Sequence, residues 1–306
     1  MPRPRARFAF AAIAQGLLAA CASPPSAVVY QTDFGLADGA VAAMKGVALG
    51  VDAHLVLADL THEIPPFDIW QAAYRLHQTA PFWPPGTVFV SVVDPGVGTD
   101  RRAVVARDRE GRLYVTPDNG TLTLLAEGNA IDAVRVLDTT RVRRAGSETS
   151  HTFHGRDVFS FVAAQLAAGT LAFTDVGEPV PTTSLCRLEH PKAQVRKVGD
   201  RMVATGFVPV LDVQFGNVWT NLDAATLRAA SLDLGDQLTV RVQRDGTEVF
   251  VGTMPFARTF GDVGEGQPLA YSNSLGNLAF ALNLGSFAAK HGIGAGPRWT
   301  VVVAVE

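Results

Sequence analysis

A strand that is apolar on both of its faces can lie only inside a layered sheet, and residues 87–93 (TVFVSVV) form such a strand. Around it, from Ala27 to about Gly177, strand-like and helix-like segments alternate. Residues 27–30 are a β-branched run and residues 55–60 an apolar strand, while residues 39–49 and 69–79 carry helical spacing. Residues 103–107 and 113–116 flank a polar turn and predict a hairpin. Residues 157–168 predict a helix closed by Gly169. The alternation predicts an α/β amino-terminal domain over residues 27–182, with a central sheet between helices.

Beyond Cys186 the texture changes. Short strand-like runs follow one another at residues 201–210, 237–243, 247–253 and 299–305, with Arg244-Asp245-Gly246 as a hairpin turn. Only residues 223–230 and 278–284 look helical. Residues 192–306 are therefore expected to form a smaller all-β, barrel-like domain.

Residues 1–20 read as an address. Arg3, Arg5 and Arg7 precede a short apolar run that ends Leu18-Ala19-Ala20-Cys21. This predicts a lipoprotein signal peptide, acylation of Cys21 and a protein held by its lipid on the periplasmic side of a membrane. Removing the leader takes three arginines and no acids, so the formal charge moves from −3 to −6. Such a balance offers no basic face, which argues against a nucleic-acid partner and for a small-molecule substrate. Cys21 and Cys186 cannot build a disulfide framework, and the histidines lack metal-ligand spacing, so no metal is expected.

The chemistry-bearing residues sit at the ends of predicted strands, where open α/β sheets present binding groups. Thr32-Asp33-Phe34-Gly35 ends the first strand, and its carboxylate suits a ribose diol or, as well, a turn. Asp68 is a natural N-cap for the helix that carries Arg75, nearly two turns and about 10 Å further along its axis. An Arg75 side chain that reached back would pair with Asp68. Val93-Asp94-Pro95-Gly96-Val97-Gly98 makes a compact turn after the buried strand. Phe153-His154-Gly155-Arg156-Asp157 leads into a helix N-terminus, where a histidine can hold a water. In the second domain, Asp212 and the run from Phe215 to Asn221 place aromatics beside amides, which suits an adenine ring and its polar edge.

Taken together, T-D-F-G, T-H-E-I-P-P-F-D, V-D-P-G-V-G, P-D-N-G, F-H-G-R-D and F-G-N-V-W-T-N, in this order, resemble the family of adenosine-forming S-adenosylmethionine hydrolases, relatives of the fluorinase and chlorinase. The resemblance implies hydrolysis of S-adenosyl-L-methionine at C5′, with no cofactor beyond that substrate. It implies Asp68, Arg75 and His154 as the water-activating set. It implies nucleoside or methionine contacts at Asp33, Phe67, Asp94, Phe153, Gly155, Asp212, Phe215, Asn217, Phe260 and Ser274. It also implies a homotrimer whose sites lie between one subunit's α/β domain and a neighbour's β domain. A halogenase competes with this reading, but in fluorinases the position matching Gly155 carries a serine. The same residues would also suit a lipid-anchored nucleoside-binding protein without turnover, or an enzyme acting on a related 5′-substituted adenosine.

Overall fold

The computed structural model describes residues 27–306, so the leader and Cys21 lie outside the described residues. The amino-terminal unit runs β1 (Ala27–Thr32), α1 (Ala40–Val51), β2 (Val56–Thr61), α2 (Ile69–Thr79), β3 (Val88–Val92), β4 (Ala103–Asp108), β5 (Leu113–Pro117), α3 (Thr123–Glu127), β6 (Ile131–Leu137), α4 (Phe161–Ala167) and β7 (Gly177–Val180). Seven strands form one sheet in the order β2-β1-β3-β5-β4-β6-β7. The first four of that order are mutually parallel, and β4, β6 and β7 complete the sheet antiparallel.

Period-two alternation decides which residue meets which helix layer. Val28, Tyr30, Val88, Val90 and Val92 point to one face, where they pack with Met44 and Ala48 of α1 and with Val162 to Ala164 of α4. Val29, Phe89, Val104 and Tyr114 point to the other, against Leu76 of α2 and Leu122 and Leu125 near α3. Every residue of β3 is buried, as its two-faced apolarity predicts. One π-helical turn, Gly155–Ser160, leads directly into α4. Ser160 there ties three elements together, bonding the Tyr30 hydroxyl at 2.9 Å and donating to the Met44 carbonyl at 2.7 Å.

The carboxyl-terminal unit contains β8 (Gln194–Val198), β9 (Arg201–Val208), β10 (Leu211–Asp212), β11 (Asn217–Trp219), α5 (Ala224–Ala229), β12 (Gln237–Arg244), β13 (Thr247–Pro255), β14 (Pro268–Ser272), β15 (Leu278–Leu282), α6 (Phe287–His291) and β16 (Gly296–Val305). They make two antiparallel sheets, β10-β11-β15-β14 and β13-β12-β16-β9-β8, which share one core that includes Leu238, Val240, Phe280, Phe287, Val301 and Val303. The β12–β13 hairpin turns at Asp245 (φ 50°) and Gly246 (φ 79°), both left-handed, as a two-residue hairpin requires.

One expectation fails here. Residues 278–284 are not helical: Leu278–Leu282 is the central strand β15, buried at all five positions. Leu278, Phe280 and Leu282 enter the main core, Ala279 packs with Tyr74 and Trp219, and Ala281 with Leu269. With apolar neighbours on both faces the strand shows no alternation, and so short an apolar run cannot be told from a helix by its period. The helix lies further on: α6 is capped by Ser286, whose side chain accepts from the Ala289 N–H, and closed by Gly292 at φ 63°.

Helix α2 joins the two units. Trp70 donates its Nε1–H to the Pro209 carbonyl at 2.9 Å, and Tyr74 packs against Trp219 with ring centroids 6.4 Å apart.

Candidate active site

Two cavities collect the chemistry-bearing residues, and within one chain they share none of their walls. The first, of about 240 Å³, opens at the carboxyl ends of β1 and β3. Asp33 reaches it from β1, Asp94 from β3, Phe67 from the loop before α2, and Phe153, His154 and Gly155 from the turn before α4. The Asp33 carboxylate accepts the Phe67 N–H at 2.9 Å. That bond holds Phe67 at φ 68°, a backbone conformation that costs a non-glycine residue about 1 kcal/mol or more and so marks a site. Its ring is 70% exposed.

The charged centre of this cavity is Asp94, Arg101 and His154. Arg101 Nε lies 2.9 and 3.0 Å from the two Asp94 oxygens, and its Nη2 donates to Asp94 as well. The same Nη2 is 3.2 Å from His154 Nδ1. A guanidinium can only donate, so Nδ1 must accept and the ring proton of a neutral His154 sits on Nε2. Burial, followed by the charges of Arg101 and Arg143, holds the His154 pKa below the ordinary histidine value. Gly155 is closely surrounded: a Cβ there would sit 3.4 Å from Met44 Sδ and from the Phe34 and Phe153 rings.

Within one chain Asp68 and Arg75 do not pair with each other. Asp68 caps α2, accepting from the Gln71 N–H at 2.9 Å and from Gln71 Nε2 at 3.1 Å. Arg75 turns away from it, donating to Gln78 Oε1 at 2.9 Å and to the Leu211 carbonyl at 2.8 Å. Nearly two helical turns separate the two side chains, and each has a closer partner. Asp94 and Arg101 are also seven residues apart, but on a loop. The turn folds back through Val97 N–H to the Asp94 carbonyl at 3.2 Å, with Gly98 at φ 79°, and brings the pair together. Sequence reasoning missed Arg101. Its signal was a cation soon after a carboxylate-bearing turn at the end of a buried strand.

The second cavity, of about 730 Å³, belongs to the carboxyl-terminal unit and is lined by Asp212, Phe215, Asn217, Phe260 and Ser274. Trp219, which falls in the run from Phe215 to Asn221, and Asn273, next to Ser274, also line it, as does Tyr271, which was not singled out from the sequence. Asn217 Nδ2 donates to Asp212 Oδ2 at 3.0 Å. Gly216 (φ 68°) permits the turn that carries Phe215, since a Cβ there would lie 1.8 Å from Ser286 Oγ. Phe260 leans on Tyr271 with centroids 5.0 Å apart.

Arg75 thus serves this cavity from behind, by fixing Leu211 beside Asp212. Burial lowers its pKa, and the Tyr74 and Asp212 charges oppose that shift. Replacing it by alanine leaves a carbonyl without its charged donor and loosens the joint between the units. Arg75→Ala is expected to cost about 1–3 kcal/mol of stability, against about 1 kcal/mol for loss of the cap in Asp68→Ala. Chemical denaturation of both variants checks this, and a smaller loss for Arg75→Ala would contradict the structural role given to it.

The arrangement has known counterparts. The family model described as the SAM hydroxide adenosyltransferase N-terminal domain matches residues 28–177, and the corresponding C-terminal domain matches residues 206–300. The (R)-S-adenosyl-L-methionine hydrolase of Salinispora tropica is 38% identical over 283 residues, covering 91% of this chain and 98% of the relative. That of Thermus thermophilus is 38% identical over 269 residues, covering 85% and 92%. A fluorinase from Actinoplanes sp. is 29% identical over 300 residues, covering 90% and 97%. The crystal structure of a conserved protein from Thermotoga maritima superposes with a TM-score of 0.80 at 33% identity, over 91% of this chain and all of that one. Both domain models match in order and the relatives are covered almost end to end: the chain belongs to the SAM hydroxide adenosyltransferase family.

Proposed function

We propose that the chain hydrolyses S-adenosyl-L-methionine to adenosine and L-methionine, with water attacking C5′ of the nucleoside. The observation that carries this reading is the Asp94–Arg101–His154 cluster at the wall of a cavity that also holds Asp33. The leaving sulfonium becomes a neutral thioether, so the reaction needs no general acid. What it needs is a water aimed along the C5′–S bond. His154 Nε2–H donates to that water, and the Asp94 carboxylate, held in place by Arg101, accepts its proton as the new C–O bond forms. Asp33 suits the ribose diol, which leaves the aromatics and Asn217 of the second cavity for the adenine. The sulfonium charge fades in the transition state, so a dry pocket favours that state over the bound substrate. Positioning alone is worth several kcal/mol, roughly up to 7–11 in the best intramolecular cases. The relatives named (R)-S-adenosyl-L-methionine hydrolase support the reading.

Each cavity looks like half of a site. Phe67 edges the first, and Phe215 and Val213 edge the second at 66% and 78% exposure, so both rims leave apolar surface uncovered. A closed homotrimer, in which one subunit's first cavity meets a neighbour's second, would cover both rims and complete each site. Cys21 is proposed as the lipid attachment point that holds the protein on the periplasmic side of a membrane. The cavity opens at the carboxyl end of β1, whereas the described residues begin at that strand's amino end, Ala27. Detergent-phase partitioning that survives Cys21→Ser would exclude the anchor.

Purified protein incubated with S-adenosyl-L-methionine in the presence of fluoride and chloride tests the activity. The expected products are adenosine and methionine. Because neutral His154 is the working form and its pKa is depressed, the rate should hold through mildly acidic pH and fall only below the ordinary histidine range. Arg101→Gln removes a cation from beside the ring and should shift that fall to higher pH. A halogenated nucleoside would identify a halogenase instead, and binding without products a nucleoside-binding protein.

A further inference from the structure

His62 follows Thr61, the last residue of β2, which pairs with Gln31 of β1, and so it stands beside Thr32. It is buried, at 3% exposure, and both of its ring nitrogens are bonded. Nε2 lies 2.9 Å from Asp59 Oδ1, and a carboxylate can only accept, so Nε2 carries the proton. In the neutral ring Nδ1 then accepts, and the Thr32 hydroxyl, 2.8 Å away, donates to it. Thr32 Oγ1 in turn accepts the Phe34 N–H at 3.2 Å. On the main chain, the Gly35 N–H donates to the His62 carbonyl at 2.8 Å. One residue therefore grips the turn from Thr32 to Gly35 twice, by its ring and by its backbone.

Asp33 sits inside that grip, and both it and Phe34 wall the first cavity. One Asp33 oxygen holds the Phe67 N–H, and the other has no partner among the described residues. That second oxygen is the one left for a ribose diol, and its aim depends on the backbone on either side of it. The polar chain behind it starts at the half-exposed pair of Lys45 and Asp59, 2.7 Å apart, and ends at a fully buried Thr32. A buried chain satisfied at every link specifies one arrangement, whereas an apolar filling would hold the same volume without a direction.

Resting on the hydrolase reading, with Asp33 as its ribose acceptor, we propose that His62 is a positioning residue. Through the Thr32 hydroxyl it aims the Asp33 carboxylate, and so it sets the preference of this chain for a ribose over a 2′-deoxyribose nucleoside. His62 itself stands behind the cavity wall and touches neither the nucleoside nor the reacting atoms. The diol is held alike in the bound substrate and in the transition state, so losing its acceptor raises KM and leaves kcat nearly unchanged.

Calorimetric binding of adenosine and of 2′-deoxyadenosine to the full chain reads that preference, with kcat and KM for S-adenosyl-L-methionine measured alongside. The unaltered chain is expected to bind adenosine about tenfold or more tightly, because a carboxylate desolvated for a hydroxyl is left short without it. A glutamine amide reaches the place of Nε2 and an asparagine amide that of Nδ1. His62→Gln therefore keeps Asp59 but loses Thr32; it should cut the preference to about twofold and raise KM about tenfold, with kcat within about threefold. His62→Asn offers Thr32 an acceptor again and should restore most of the preference. Thr32→Val keeps the side chain's shape without its hydroxyl and should match His62→Gln, which covers a His62 variant that fails to fold. A preference that His62→Gln and Thr32→Val leave intact, equal losses in His62→Gln and His62→Asn, or no preference in the unaltered chain overturns the proposal and spares the hydrolase reading. The expected pattern of binding without any adenosine formed from S-adenosyl-L-methionine removes the hydrolase reading alone and upholds the role of His62.

Discussion

Replacing His154 by alanine is expected to lower kcat by about 10²–10⁴-fold while leaving substrate affinity within a few fold, as loss of a group that positions and polarises the nucleophile does. His154 meets the cavity through one ring edge and Arg101 through the other, and its side chain caps no helix and pairs with no carboxylate among the described residues. Removing it therefore takes away the donor to water without dismantling the Asp94–Arg101 pair. Asp94→Ala should be at least as damaging to turnover and also costs stability. Both partners are buried, at 5% and 12% side-chain exposure, and stranding Arg101 without its carboxylate costs about 3–5 kcal/mol. Asp68→Asn is the contrasting variant. A side chain spent on the Gln71 amide should change kcat by no more than about threefold, and asparagine remains a good N-cap. Single-turnover rates and calorimetric adenosine binding separate the two outcomes. Normal turnover in His154→Ala, or its loss in Asp68→Asn, would return the catalytic role to the helix pair.

Mixing two inactive variants should restore activity. If each site takes its first cavity from one subunit and its second from the next, His154→Ala and Asp212→Ala damage opposite halves. Co-refolded in equal amounts, they form rings in which about one site in four draws both halves from intact partners, since each half is chosen independently. The mixture should recover about a quarter of the unaltered rate from two nearly silent parents. Co-assembly is followed by native mass spectrometry so that failure to mix is not mistaken for failure to complement. Mixed rings without recovered activity would mean that one chain supplies a whole site.

Much of this protein is legible in its amino-acid order. Local chemistry fixes the elements that depend on it: the β-branched runs became β1 and β3, Asp68 became the cap of α2 it was expected to be, and Gly169 (φ 71°) follows α4. Less is legible where several faces meet. β15 hides its nature because three different clusters cover it, and β6 and β7 were missed because their half-exposed residues carry no clean period.

The candidate site divides along the same line. The order of residues alone determined which turns would carry acids, amides and aromatics, because strand ends and glycine-bearing turns are specified by residues a few positions apart. It did not determine which acid meets which cation. Asp68 with Arg75 and Asp94 with Arg101 have the same spacing, yet a helix holds the first pair apart and a folded loop closes the second on His154. That choice, like the separation of the two cavities within one chain, is a property of three-dimensional packing. Contacts between residues far apart in the chain have no footprint in local pattern, and only the folded backbone settles them.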